Sequence, residues 1–361
     1  MSLALRAATR GRPSPNPHVG AVVARGETIL AAGHHPRAGQ AHAEIVALKK
    51  AGDSARGATL YVTFEPCNHQ GRTGPCTEAI IAAGIARVVI GTRDPAPHVA
   101  GAAEKLAAAG IEVEIGVEED KARALIADFA QHIMTGLPFV RMKAAMTLDG
   151  YIATRTNDSK WITGPLARKH AHRMRDQSDA VIVGVGTVLA DDPSLTVRDV
   201  RGRDPIRVVL DTHLRTPVDA KLVAHGSRAP TWILHSEAAS HAKAKALARK
   251  GVELIPVALD RGGQRIDLEA AMRVLGRRDV VRVLAEGGGT LHGSLLDAHL
   301  IRRASIFIAP ILLGDQNAVR MVAGHGVTRI SDAWRLTNQT LRRLGPDLLV
   351  EGDVVAAAKA E

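Results

Sequence analysis

The sequence predicts an α/β protein of two domains, on three observations. Its 361 residues suffice for two hydrophobic cores. Short apolar runs of strand length alternate with segments of helical spacing along nearly the whole chain. One cluster of strong breakers, Thr135-Gly136-Leu137-Pro138, interrupts that alternation and sets the boundary between domains 1–137 and 138–361.

In the first domain, the β-branched runs 19–24 and 58–63 read as strands, and 41–51 and 77–84 have helical spacing. A strand at 87–91 and a helix at 101–109 follow, and helical character continues through 118–134. This order predicts a layered sheet covered by helices. In the second domain, strands are expected at 139–145, 180–185, 206–211, 230–235, 252–257, 280–285 and 304–309. Helices are expected at 165–177, 238–250, 267–275 and 290–298, which makes a second α/β layer structure.

Composition narrows the function classes. A net charge of +10 suits a phosphorylated small substrate or an Arg-rich solvated surface. Nucleic acid is disfavoured as a partner, because aromatic residues are only 2% of the chain and single-strand readers stack bases on aromatic platforms. Uncharged stretches fall short of the roughly 20 residues of a membrane span. The first segment, MSLALRAATRGRP, lacks the apolar core of a secretory signal, so a cytoplasmic protein is expected.

Two cysteines occur, Cys67 and Cys76, and a structural disulfide is not expected in such a chain. Their neighbours point to metal chemistry instead. His42-Ala43-Glu44 precedes a helical run, and Glu65-Pro66-Cys67 follows the strand at 58–63. One imidazole and two thiolates suit Zn²⁺ and leave a fourth tetrahedral position for water. Both cysteines are expected near helix N-termini, where unpaired N–H groups favour thiolates. Zinc lowers the pKa of bound water towards about 7, and a carboxylate at Glu44 can carry the water's proton to a departing amine. A zinc-stabilised binding module is the competing reading, but a closed structural site needs four protein ligands and three present themselves. A nucleic-acid deaminase with an accessory domain is another. His69 between the cysteines could touch substrate or be solvated, and His34 and His35 read as structural residues.

The order His-x-Glu, Pro-Cys, Cys resembles the zinc-deaminase signature, with eight residues, Asn68 to Pro75, between the cysteines. That inserted loop is similar to the one in the pyrimidine deaminases of riboflavin biosynthesis, as is Asn16-Pro17-His18-Val19-Gly20 upstream. The resemblance implies a cytidine-deaminase-like three-layer domain with Asn16 on the pyrimidine.

Downstream, Lys143-Ala144-Ala145-Met146-Thr147-Leu148-Asp149-Gly150 resembles the first strand and loop of reductases with a dihydrofolate-reductase-like α/β fold. Ser159-Lys160-Trp161-Ile162-Thr163 and the run Gly186 to Pro193 are similar to the reductase half of the bifunctional riboflavin enzymes. Gly287-Gly288-Gly289-Thr290 follows a strand and opens a helix, where side-chain-free backbone can approach a phosphate closely. The resemblance implies NADPH against Ala145, Trp161, Thr187, Asp191, Thr212 and the loop Gly288, Gly289, Thr290, Leu291, His292, Gly293 and Ser294. It implies substrate against Ser159, Arg175, Leu195, Arg198 and Glu286. A guanidinium can grip a substrate phosphate through paired hydrogen bonds. Asp191 and Glu286 are the candidate proton donors. Together these likenesses imply a bifunctional enzyme that deaminates a phosphoribosyl pyrimidine with Zn²⁺ and then reduces its ribosyl group to ribityl with NADPH. They also imply a homo-oligomer, dimer or tetramer.

Overall fold

The computed structural model describes residues 1–68, 74–96, 101–224 and 226–357. The chain divides into two compact units, Met1–Leu137 and Pro138–Glu361.

The first unit runs α1 (Ser2–Ala8), β1 (Gly20–Arg25), β2 (Thr28–His34), α2 (Ala43–Ala51), β3 (Thr59–Phe64), α3 (Cys76–Ala82) and β4 (Arg87–Thr92). It continues through α4 (Ala102–Ala108), β5 (Glu112–Ile115), α5 (Glu119–Leu125) and α6 (Ala127–Thr135). Its five strands lie in the order β2-β1-β3-β4-β5. The β1 pairings are antiparallel, while β3, β4 and β5 run parallel. Alternate residues Ala21, Val23, Leu60, Val62, Val88 and Ile90 face one core together with Ala43, Ala47, Ile80 and Leu106 from α2, α3 and α4. Helices α1 and α5 lie against β1, β3 and β4 on the remaining face, which completes three layers. The helical stretch expected over 118–134 is two helices, because Ile126 leaves helical geometry (φ −108°, ψ 10°) and buries its side chain in the core.

The second unit contains β6 (Phe139–Thr147), β7 (Tyr151–Ala153), α7 (Pro165–Asp176), β8 (Ala180–Gly184), α8 (Val185–Asp191), β9 (Ile206–Leu210), α9 (Lys221–Ala224), β10 (Thr231–His235) and α10 (His241–Ala248). There follow β11 (Glu253–Pro256), α11 (Leu268–Gly276), β12 (Arg282–Ala285), α12 (Gly289–Asp297), β13 (Ile301–Ala309), β14 (Val319–Arg320), β15 (Arg335–Leu344) and β16 (Asp347–Val355). Nine strands form one sheet in the order β11-β10-β9-β8-β12-β6-β13-β16-β15. All are parallel from β11 to β13, and β16 and β15 add an antiparallel edge. The central strands β8, β9 and β12 are buried on both faces, as a sheet covered by helices requires. The chain order reverses around β12, so the carboxyl ends of β6, β8 and β12 meet at a switch point, where open α/β sheets bind ligands.

Candidate active sites

The first site gathers at the carboxyl end of β3. His42 caps the N-terminus of α2, Cys67 lies in the loop that leaves β3, and Cys76 is the first residue of α3. One ligand atom from each converges with the others within 4.8 Å. His42 Nδ1 lies 3.2 Å from the Cys76 sulfur and 3.5 Å from the Cys67 sulfur. Zinc bonds of about 2.3 Å to sulfur and about 2.0–2.1 Å to nitrogen give tetrahedral edges of about 3.5–3.8 Å, so the three atoms fit one face of a zinc tetrahedron. Only Cys76 sits at a helix start. Its backbone N–H nevertheless donates to the Cys67 sulfur at 3.3 Å, so the amide of α3 favours charge on the other cysteine. Hydrogen bonds from the Cys76 thiol and from His42 pull the Cys67 thiol down to about 4, which makes it a ready metal ligand.

Glu44 lies in the first turn of α2, 3% exposed. Burial pushes its carboxyl above the usual range, which suits a group that must hold a proton and release it. His35, read from sequence as structural, is 2% exposed and stands edge-on to His42 with ring centroids 5.1 Å apart. Its Nε2 lies 3.0 Å from the Asn16 side-chain nitrogen, so Asn16 is brought to this site. His69 lies outside the described residues.

The second site spans the carboxyl ends of β6, β8 and β12. Ala145 is on β6, Thr187 and Asp191 are on α8, Thr212 follows β9, and Glu286 and Gly288 follow β12. Glu286 takes a bidentate ion pair from Arg175, Nε to Oε1 at 2.7 Å and Nη2 to Oε2 at 2.9 Å. Arg175 also donates through Nη1 to the Thr196 carbonyl at 2.9 Å. Arg175, expected to grip substrate, therefore directs its fork at the protein and orients Glu286. Despite burial, the Arg175 and Lys143 charges hold the Glu286 carboxyl down to about 2. Two cations facing Glu286 favour its ionised form, and Lys143, a cation beside it, is the better placed proton source. Lys143, whose role sequence patterns did not disclose, places its ammonium 3.6 Å from Glu286 with the side chain 17% exposed.

Ser159 donates to Asp191 at 3.2 Å, so an expected substrate contact and an expected cofactor contact meet. Arg198 is exposed and leans on the hydroxyls of Ser194 and Thr196. Leu195 is 2% exposed and packs in the core. Leu291, His292 and Gly293 are likewise buried in α12, with His292 bonded to backbone carbonyls of Met321 and Ala285. The part of this segment that suits a cofactor is its start. Gly288 caps α12, and a Cβ built there meets nothing within 4 Å. A Cβ on Gly289 would fall 2.3 Å from the Arg320 carbonyl oxygen, so that glycine serves packing. An open glycine at a helix N-terminus fits a pyrophosphate.

Residues 138–350 match the family described as RibD C-terminal domain, and residues 1–92 match the cytidine and deoxycytidylate deaminase zinc-binding region. The riboflavin biosynthesis protein RibD of Aquifex aeolicus is 41% identical over 352 residues, 97% of this chain and 96% of that protein. The chain belongs to the RibD family. RibD of Escherichia coli is 39% identical over 96% of both chains. The structure of RibD from Acinetobacter baumannii superposes with a TM-score of 0.86 at 36% identity, covering 98% of this chain and 97% of that one. A Thermotoga maritima structure described as a diaminohydroxyphosphoribosylaminopyrimidine deaminase and 5-amino-6-(5-phosphoribosylamino)uracil reductase gives the same TM-score of 0.86 and the same coverage. As a RibD protein, the chain is a bifunctional deaminase and reductase of riboflavin biosynthesis, with a cytidine-deaminase-like fold at its N-terminus and the RibD reductase fold after it. Its cofactors are zinc and NADPH.

Proposed function

We propose that residues 1–137 deaminate 2,5-diamino-6-(5-phosphoribosylamino)pyrimidin-4-one and that residues 138–361 then reduce the ribosyl group of the product to ribityl phosphate. The observation that carries the first assignment is the convergence of His42, Cys67 and Cys76 within 4.8 Å beside buried Glu44. His42, Cys67 and Cys76 would hold zinc, which supplies Lewis acidity that ionises a water near neutral pH. Glu44 takes the proton of that water and delivers it to the amine, which leaves as ammonia. Asn16 orients the pyrimidine.

In the reductase, Gly288 and the first amides of α12 would hold the NADPH pyrophosphate, with Ala145, Trp161, Thr187, Asp191 and Thr212 lining the rest of the cofactor. NADPH supplies the hydride. The accompanying proton comes from Lys143, whose ammonium is held by Glu286, itself oriented by Arg175; Asp191 is already engaged by Ser159. Ser159 lies beside the sugar, and exposed Arg198 is the guanidinium suited to the substrate phosphate.

Stripping the metal tests the division of labour. Chelation should abolish ammonia release from the diaminopyrimidine and leave NADPH oxidation by the deaminated pyrimidine intact. Loss of both activities in a folded protein would overturn it. Among the described residues no helix is long and apolar enough to cross a membrane. We propose a cytoplasmic homo-oligomer, dimer or tetramer, whose size sedimentation would measure.

A further inference from the structure

Trp161 is 67% exposed, an unusual position for an indole. Its surroundings hold it firmly. The Arg168 guanidinium lies over the ring with its central carbon 4.5 Å from the centroid. Arg168 Nη1 donates to the Thr163 carbonyl at 2.7 Å, so the planar cation is tied to the backbone two residues beyond the indole it covers. No carboxylate pairs with Arg168 among the described residues, which leaves the Thr163 carbonyl and the indole ring as the contacts for its charge.

The segment that carries Trp161 is pinned at both ends. Ser159 donates to Asp191 at the end of α8, and the Gly164 N–H donates to Asp347 at the start of β16 at 2.8 Å. Residue 348 pairs with Ile308 near the carboxyl end of β13, so Asp347 lies at the same edge of the sheet as the end of β8. Residues 159–164 are therefore a short turn anchored at one end to α8 and at the other to the start of β16, with Trp161 between the two anchors.

We infer that Arg168 is a positioning residue of the reductase, which braces Trp161 as a flat wall on which a ring of NADPH stacks. The inference rests on the NADPH reading of this site. Arg168 itself touches neither reactant; it fixes the plane of the indole, and the two anchors fix the turn that carries it. Stacking on a fixed indole loses less side-chain freedom on binding than stacking on one that rotates.

A double-mutant cycle on NADPH binding to the full-length protein tests this, read by titration calorimetry and by intrinsic tryptophan fluorescence, without turnover. Arg168→Ala should weaken NADPH binding about tenfold, the scale of a solvated cation–π contact and a lost preorganised wall. Arg168→Lys should recover part of that loss. In a Trp161→Ala background, Arg168→Ala should add no further loss, and Trp161→Phe should remove most of the NADPH-dependent fluorescence change. Steady-state assays of Arg168→Ala should raise KM for NADPH more than they lower kcat. Equal losses from Arg168→Ala with and without Trp161 would overturn the inference, since a merely structural arginine acts in both backgrounds. Wild-type affinity in Arg168→Ala would overturn it too. Failure of the wild-type chain to bind NADPH would instead overturn the underlying cofactor reading, and the inference with it.

Discussion

The Asn16 side chain donates to His35 Nε2 at 3.0 Å, and the direction of this bond follows from the other ring nitrogen. His35 Nδ1 lies 3.1 Å from the Ala41 carbonyl oxygen, which only accepts, so Nδ1 carries the proton and Nε2 offers a lone pair. The bond fixes the Asn16 amide with nitrogen towards His35 and leaves its carbonyl oxygen as an acceptor for a ligand N–H. His35→Phe keeps the edge-on packing against His42 and removes the acceptor. We expect KM for deamination to rise about tenfold with a smaller change in kcat, in line with about 1.4 kcal/mol for one lost hydrogen bond. Steady-state kinetics with zinc content measured on the same sample check this.

Glu286 ties acid stability to the reductase site. Its carboxyl is held down from an ordinary value of about 4.5 to about 2 in the folded protein by the Arg175 and Lys143 charges, so the folded state binds the proton less readily than the unfolded chain. The contribution to stability is complete above pH about 4.5 and is lost as pH falls from there through about 2, amounting to about 3 kcal/mol. Denaturant unfolding of wild type and Glu286→Gln should differ by a constant amount between neutral pH and about 5, and the gap should close towards pH 2. A gap independent of pH would remove Glu286 from the account of acid stability.

Two adjacent glycines separate packing from cofactor binding. Gly289→Ala drives a Cβ to 2.3 Å from the Arg320 carbonyl oxygen and should cost on the order of 1–3 kcal/mol of stability. Gly288 has an ordinary backbone angle, φ −77°, and open space where a Cβ would go. Gly288→Ala should therefore leave thermal unfolding within a degree or two of wild type and weaken NADPH at least tenfold. Unchanged NADPH affinity in Gly288→Ala would mean that the turn holds no phosphate.

Much of both sites was legible because the chemistry is local in sequence. His42 and Glu44 share one helix turn, and Cys67 and Cys76 are the chain's two cysteines, so their types and order already limited the metal and its use. The strands of the sheet centres were legible for a similar reason: β8, β9 and β12 are buried on both faces and read as short apolar runs, interrupted only by Arg207 in β9 and opened by Arg282 in β12. The edges were not. β15 has the sequence RLTNQTLRRL with most side chains exposed, and β2 buries only Ala31 and Gly33, so neither carries a hydrophobic pattern. Longer-range effects were hidden too. Nothing near Glu286 in sequence tells that Arg175, 111 positions away, keeps it ionised, and Lys143 reads as an ordinary strand lysine until Glu286 is brought to it. The role of His35 depends on Asn16, 19 positions earlier, across the first site.

The coupling of the two activities is tested most directly by Glu44→Gln, assayed with zinc content measured, in the presence of NADPH and either the diaminopyrimidine or its deaminated product. The account predicts retained zinc, a loss of ammonia release of about 10²–10⁴-fold, and no NADPH oxidation from the diaminopyrimidine. It predicts normal NADPH oxidation when the deaminated product is supplied. Full ammonia release by a zinc-replete Glu44→Gln, or NADPH oxidation from the diaminopyrimidine without ammonia release, would contradict it.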